Sequence, residues 1–170
     1  MLLLAAFLAS HMVVQHSEPW KLAGTALAGS RVNATLPDGR GFSVTADPAS
    51  GAWEVDLPAM PPSTSAVDIA IKSSSFSITL KDVLFGETYL CSGQSNMQLN
   101  VRMTNNSAWE VARAASLPDH FRIMQVADLP SYYNVSTPQT NLSLSVPWGR
   151  PSTDNVPYMS AACYYFGVER

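Results

Sequence analysis

The sequence has little charge and few cysteines, and each shortage excludes a class of protein. Charged residues make up 14% of the 170 positions and hydrophobic residues 46%, which excludes an intrinsically disordered chain. The ten basic residues are scattered and the net charge is −3, so we expect no nucleic-acid partner. Two cysteines form one disulfide at most, which excludes a disulfide scaffold. No segment approaches the roughly 20 apolar residues of a transmembrane helix.

The two cysteines and three histidines show no spacing typical of a metal site. Cys91 and Cys163 both have apolar neighbours, which favours two separate buried thiols over a disulfide. Cys91 is expected inside a strand, so we interpret it as a packing residue and not as a nucleophile. His11 and His16 are interpreted as surface residues.

The N-terminus and the Asn residues bear on the cellular compartment. Residues 1–9 have the length and apolarity of a signal-peptide core but lack a basic n-region, so a cleaved leader, a first strand and a truncated gene model are all open interpretations. Four sequons without proline favour the secretory pathway and a glycoprotein. Their candidate glycosylation sites are Asn33, Asn105, Asn134 and Asn141.

Residues 1–81 have the pattern of an antiparallel β-sandwich domain. Between residues 32 and 80 apolar side chains recur at every second position, as in Val32, Ala34 and Leu36, and turn residues interrupt them about every ten residues. Such strands have one buried and one wet face. Trp20 and Trp53 are interpreted as core residues rather than as a sugar-binding platform. Without clustered catalytic residue types, this half is predicted to be an accessory domain.

Residues 82–170 change to the pattern of a parallel α/β layer, which we expect to be incomplete. A uniformly apolar run suggests a strand covered on both faces, and two strands alone cannot bury a whole sheet. The predicted elements are a strand over residues 83–91, a helix with a capping box at 107–110, a strand over 121–126, a loop over 128–146, and a helix over 157–168 capped by Asp154 or Asn155.

The candidate catalytic residue lies where the first of these strands ends. Residues 90–98 read Leu-Cys-Ser-Gly-Gln-Ser-Asn-Met-Gln, in which a tight glycine turn presents Ser95. Open α/β folds place their sites at this edge of the sheet. The competing interpretation is that the serines only shape the turn.

Residues 81–98 resemble the nucleophile block of the sialate O-acetylesterases, which are secreted or lysosomal members of the SGNH (GDSL-like) hydrolases. The run Gly93-Gln94-Ser95-Asn96-Met97 is the most specific part of this resemblance. Residues 12–15, 148–152 and 158–167 also resemble this family, in the family's order. The resemblance implies a β-sandwich and an SGNH-type α/β/α catalytic domain, in a lysosomal or extracellular protein.

Carried over to this chain, the resemblance makes Ser95 the nucleophile and its N–H an oxyanion-hole donor, with Gln94 and Asn96 as substrate-binding residues. The implied reaction releases acetate from O-acetylated sialic acids or sialoglycans through an acetyl-serine, and it needs no metal or cofactor. The family's Asp-x-x-His is absent from the 170 residues. His120 follows Asp119 at a turn and is interpreted as a surface residue. We therefore expect an N-terminal fragment that is close to inactive alone.

Two alternatives remain open on the sequence. The first is an acetylesterase of the same superfamily that acts on plant or microbial polysaccharides. The second is a short form without activity that uses its sandwich as a binding module.

Overall fold

The computed structural model describes residues 1–74, 76–127 and 142–170, which form two compact units. The first unit is Met1–Thr88 and the second is Tyr89–Arg170. The division predicted between residues 81 and 82 falls inside the strand Phe76–Gly86, whereas the compact units divide after this strand has ended.

The first unit contains eight strands among its described residues. They are β1 (Leu3–Leu4), β2 (Val13–Gln15), β3 (Trp20–Thr25), β4 (Arg31–Thr35), β5 (Gly41–Thr45), β6 (Ala52–Leu57), β7 (Ser63–Ser73) and β8 (Phe76–Gly86). A three-stranded sheet has the order β1-β3-β6, and a five-stranded sheet has the order β2-β8-β7-β4-β5. All these pairings are antiparallel except that of β2 with β8.

The strands of the first unit form where side chains alternate in polarity. In β6, Trp53, Val55 and Leu57 are buried while the residues between them are exposed. This gives each strand one face for the core and one for solvent. The ring of Trp20 on one sheet contacts that of Phe85 on the other, with centroids 6.0 Å apart. The predicted antiparallel strands and the core position of Trp53 are confirmed.

Residues near the start of the chain pack onto this unit. β1 pairs with the end of β3, and Leu2 and Leu8 are buried. The pairing requires glycine at position 24, because a Cβ there would lie 2.0 Å from the carbonyl oxygen of Leu3. Of the open interpretations of residues 1–9, a first strand agrees with this arrangement.

The second unit is mixed helix and strand. Its elements are α1 (Ser95–Gln98), α2 (Ser107–Arg113), β9 (Ile123–Val126), β10 (Leu144–Gly149) and α3 (Ala161–Val168), together with 3-10 turns at Val101–Met103, Ala114–Ser116 and Val156–Tyr158. Its core gathers side chains from all parts of the unit. The buried members are Val101, Ala114, Ile123, Val146, Val156, Met159, Ala161 and Tyr164.

The parallel layer predicted for the second half is not found among the described residues. The run 83–91 does not form one strand, because β8 ends at Gly86 and belongs to the sheet of the first unit. β9 pairs antiparallel with β10, part of which had been predicted as loop. The apolar run suggested burial correctly for Val83, Leu84 and Phe85, but burial on both faces does not reveal which strands pair.

Two predicted helix starts were also wrong in detail. α2 exists, but Asn106 precedes it in a left-handed conformation and makes no side-chain cap hydrogen bond, so the capping box is absent. The last helix begins at Ala161 with Ser160 as its cap, whereas Asp154 and Asn155 precede a 3-10 turn.

Candidate active site around Ser95

Ser95 is the first residue of α1 and is exposed. The turn closes on the carbonyl oxygen of Gln94, which accepts the N–H of Met97 at 2.7 Å and that of Gln98 at 3.3 Å. The first N–H groups of a helix have no intrahelical acceptor, so those of Ser95 and Asn96 remain available. The site therefore offers a hydroxyl and two backbone donors at one exposed position.

The backbone before Ser95 is not the predicted strand leading into a tight turn. Residues 87–94 have no regular structure after β8 ends, and Leu90 is 96% exposed. Glycine is required at position 93, because a Cβ there would lie 2.6 Å from Cγ of Met97. The prediction of a small-residue turn that presents Ser95 agrees with this geometry, whereas the prediction of a strand through Cys91 is wrong.

Cys91 and Cys163 form a disulfide, which corrects the prediction of two separate thiols. Their Cα atoms lie 5.8 Å apart, and the bond joins the irregular segment before Ser95 to α3. The prediction failed because a buried free cysteine and a disulfide-bonded cysteine can both have apolar neighbours in the sequence. The four sequons could have raised the expectation of a disulfide, because used sequons and stable disulfides are both typical of proteins in the secretory pathway.

A shallow cleft opens beside this bond. It encloses roughly 420 Å³ and is lined by two aromatic rings, Tyr89 and Phe166, whose centroids are 5.2 Å apart. The other lining residues are Leu90, Cys91, Ser92, Met97 and Ala162. Ser92 and Met97 come from the same turn as Ser95, so an apolar surface adjoins the candidate nucleophile within its own unit.

Among the residues that the structure describes, none is placed as a base at the Ser95 hydroxyl. Across residues 1–74, 76–127 and 142–170, Oγ of Ser95 makes no hydrogen bond, and neither do the side chains of Gln94, Asn96 and His120. His120 is exposed, as predicted, and its neighbour Asp119 pairs with Arg150 at 2.8 Å. A serine hydroxyl without a base is a weak nucleophile.

His11 and His16 belong to the first unit, where each binds a carboxylate. Nδ1 of His11 lies 2.7 Å from Oδ2 of Asp82, and Nε2 of His16 lies 2.8 Å from Oε1 of Glu87. The His16 contact holds the pKa of the Glu87 carboxyl below its usual range, helped by a hydrogen bond from Gln15. These two histidines connect the start of the chain to β8, so they are more than plain surface residues.

Ser17, His16 and Glu87 together resemble a serine–histidine–acid array. Oγ of Ser17 lies 2.7 Å from Nδ1 of His16. However, the N–H of Ser17 donates to the carbonyl of Met60, and that of His16 to the carbonyl of Gly86. The backbone N–H groups of both residues are therefore engaged in structural hydrogen bonds and are not available as oxyanion donors. We therefore interpret this array as a structural link at the edge of the sheet.

Comparison with known proteins was made on the whole chain. It is 30% identical over 176 residues to the sialate O-acetylesterases of Pongo abelii and Homo sapiens, covering 96% of this chain and 33% of each relative. The mouse sialate O-acetylesterase matches equally well, with 32% of its length covered. This chain is similar to the sialate O-acetylesterases. The resemblance predicted from residues 81–98 and three further stretches is thereby confirmed over nearly the whole sequence.

The fold of the chain is also similar to that of a protein of known structure. The chain superposes on a carbohydrate acetylesterase from Xanthomonas citri with a TM-score of 0.84 and 25% identity, covering 99% of this chain and 37% of that one. No protein-family model matches the sequence. The chain spans about a third of the length of its sialate O-acetylesterase relatives.

The predicted glycosylation sites of this sialate O-acetylesterase-like chain are only partly described. Asn33 is exposed in β4, where its Oδ1 accepts the hydroxyl of Ser43. Asn105 is exposed before α2. Asn134 and Asn141, and most of the predicted loop 128–146, lie outside the described residues.

A buried polar network below the site was not predicted from the sequence. The hydroxyl of Tyr164 donates to Oε1 of Glu110 at 3.2 Å, and Arg113 pairs with the same oxygen at 2.6 Å. Burial raises the pKa of Tyr164, and the negative Glu110 raises it further. Because Tyr164 and Cys163 are neighbours in α3, this network helps to fix the helix to which the Ser95 turn is bonded.

Among the described residues, no group of three or more His, Cys, Asp or Glu side chains is arranged to hold a metal ion. In the same residues, no helix has both the length and the apolarity needed to cross a bilayer.

Proposed function

We propose that Ser95 is the nucleophile of an acetylesterase that removes O-acetyl groups from sialic acids, and that this chain is the N-terminal part of that enzyme. The observation that carries the proposal is the exposed Ser95 at the start of α1, inside a sequence that matches sialate O-acetylesterases along 96% of the chain. We further propose that the second unit is the start of an SGNH-type hydrolase domain, which the motif around Ser95 supports.

The proposed reaction is a two-step acyl transfer. Oγ of Ser95 bonds to the acetyl carbonyl carbon, the bond from that carbon to the sugar oxygen breaks, and the serine proton passes through a base to the sugar oxygen. Water then bonds to the acetyl carbon and gives a proton to the base, the bond from that carbon to Oγ of Ser95 breaks, acetate leaves, and the proton returns from the base to Oγ. The N–H of Ser95 donates to the oxygen on which negative charge develops, and the exposed amides of Gln94 and Asn96 bind the substrate.

The base for this reaction has to come from outside the described residues. The relatives are about three times as long as the matched region, and the 170 residues contain no Asp-x-x-His. We propose that the 170-residue chain is close to inactive by itself. A serine hydroxyl without a base to remove its proton is a weak nucleophile, so the first step is expected to be very slow.

The compartment that we propose is the secretory pathway, with the protein lysosomal or extracellular and glycosylated. The Cys91–Cys163 disulfide supports this, because disulfides persist in oxidising compartments. The exposed sequons at Asn33 and Asn105 support it further.

A second substrate class is a neutral polysaccharide, which the structural match to a bacterial carbohydrate acetylesterase favours. To separate the two, we would express the protein from its complete transcript and measure acetate released from 9-O-acetylated sialic acid and from acetylated xylan. We expect a higher kcat/KM on the sialic acid. A preference for xylan would contradict the sialate assignment, and release from neither would favour the binding-module alternative.

A further inference from the structure

The segment that carries Ser95 has few attachments to the rest of its unit. We define the Ser95 segment as residues 89–98. In the described part of the chain its hydrogen bonds run inside the segment, from Met97 and Gln98 to Gln94. Beyond the segment, its non-covalent attachments include the packing of α1 against α3 and the ring contact of Tyr89 with Phe166. An exposed segment held by so few contacts is expected to open at low free-energy cost.

The Cys91–Cys163 disulfide is the covalent attachment of this segment. It joins Cys91, four residues before Ser95, to Cys163 in the first turn of α3. A bond at this position restricts where the backbone of the turn can go, since the turn from Ser92 to Ser95 is only a few residues long.

α3 is a firm anchor for this bond. Its cap Ser160 donates its N–H to Gln125 at 2.7 Å, and Ala161 donates its N–H to the carbonyl of Leu99 at 2.7 Å. Ala161 and Tyr164 are buried in the core of the unit. The bond therefore connects a weakly held segment to a helix with two residues in the core of the unit.

We infer that the Cys91–Cys163 disulfide is the positioning element for Ser95 and that it makes the Ser95 site sensitive to reduction. A dithiol such as dithiothreitol supplies two electrons and two protons. The S–S bond breaks, Cys91 and Cys163 become thiols, and the dithiol is oxidised to its cyclic disulfide. The segment then keeps only non-covalent contacts, the Tyr89–Phe166 ring contact and the packing of α1 on α3 among them, and Ser95 is held less firmly in position. The link to catalysis rests on the proposed function, whereas the effect on the segment does not.

The first experiment follows backbone motion in the 170-residue chain by ¹⁵N relaxation, before and after reduction. The double variant Cys91→Ser with Cys163→Ser is measured in the same way. We expect order parameters in residues 89–98 to fall from roughly 0.85 to below about 0.6 in both cases, with α2 and β9 unchanged. Unchanged values in residues 89–98 would overturn the inference. A loss of order throughout the second unit would also overturn the inference, because the disulfide would then stabilise the whole unit and not specifically position the Ser95 segment.

A second readout separates positioning from the proposed function. In the protein expressed from the complete transcript, reduction is expected to lower kcat for acetate release by about 10²-fold, as small displacements of catalytic groups do, with less change in KM. Tyr165→Phe removes a hydroxyl contact of α3 with Thr104 but keeps the disulfide and the lining of the cleft, and it serves as the matched control with near-normal kcat. A looser segment without any loss of kcat would overturn the positioning role. If Ser95→Ala already leaves activity intact, the proposed function fails and the relaxation result stands alone.

Discussion

Fluorophosphonate labelling of Ser95 in the 170-residue chain is expected to be slow, by about 10⁴-fold or more relative to a serine hydrolase with its histidine base. The reagent reports the nucleophilicity of a serine hydroxyl, which depends on a base that removes its proton. Oγ of Ser95 makes no hydrogen bond to any described side chain, and His120 makes none either. A time course of intact mass with peptide mapping measures the rate and the modified residue.

Two serine variants make this labelling experiment specific. Ser92 belongs to the same exposed turn, so Ser92→Ala is expected to label at the rate of the unmodified chain. Ser95→Ala is expected to lose the slow labelling altogether. Rapid modification of Ser95 in the 170-residue chain would show that a base is present within it, and our proposal of an inactive chain would then be wrong.

Tyr164→Ala is expected to lower the free energy of unfolding of the second unit by about 3–5 kcal/mol. Tyr164 is 1% exposed and is among the largest fully buried side chains of the unit. Its removal leaves a cavity under α3 and takes a hydrogen-bond donor from the buried Glu110. Hydrogen exchange of peptides from residues 89–127 in increasing urea measures the second unit separately from the first.

Tyr164→Phe is the matched control for this change, because it keeps the ring and removes only the hydroxyl. It is expected to cost about 1 kcal/mol, the usual contribution of one hydrogen bond. An alanine variant that loses no more than the phenylalanine variant would contradict the core position of the ring.

The same pair of proteins tests the ionisation of Tyr164. Burial raises the pKa of the folded phenol, whereas an unfolded tyrosine ionises near pH 10. The stabilisation by the neutral phenol is therefore complete below about pH 10 and is lost as the pH rises towards the folded pKa. Tyr164→Phe is expected to remove this part of the alkaline loss of stability.

How much could be predicted differed between the two units. Strands such as β6 were predictable because alternation of Trp53, Val55 and Leu57 with polar residues is a local signal for one buried face. The run of residues 83–91 gave no such signal. Val83 to Phe85 are buried because β8 lies between β7, the preceding strand, and β2, whose residues are about 70 positions away in the sequence.

Only part of the candidate site could be predicted from the sequence. Ser95, Gln94 and Gly93 could be identified because the turn and its motif occupy consecutive residues. The Cys91–Cys163 bond could not, since the two cysteines are 72 residues apart and only the folded unit brings them together. The network of Glu110, Arg113 and Tyr164 is also a product of tertiary packing. From the sequence, Glu110 looks like an ordinary exposed residue of α2, and only the folded unit shows that it is buried.

If Ser95 is the nucleophile of an acetylesterase, acetate release from 9-O-acetylated sialic acid depends on its hydroxyl. The decisive comparison is between the protein expressed from its complete transcript and its Ser95→Ala variant. We predict that the variant loses about 10⁴-fold or more in kcat while it remains folded, as other serine hydrolases do without their nucleophile. A Ser95→Ala protein that releases acetate at the unmodified rate would contradict the claim.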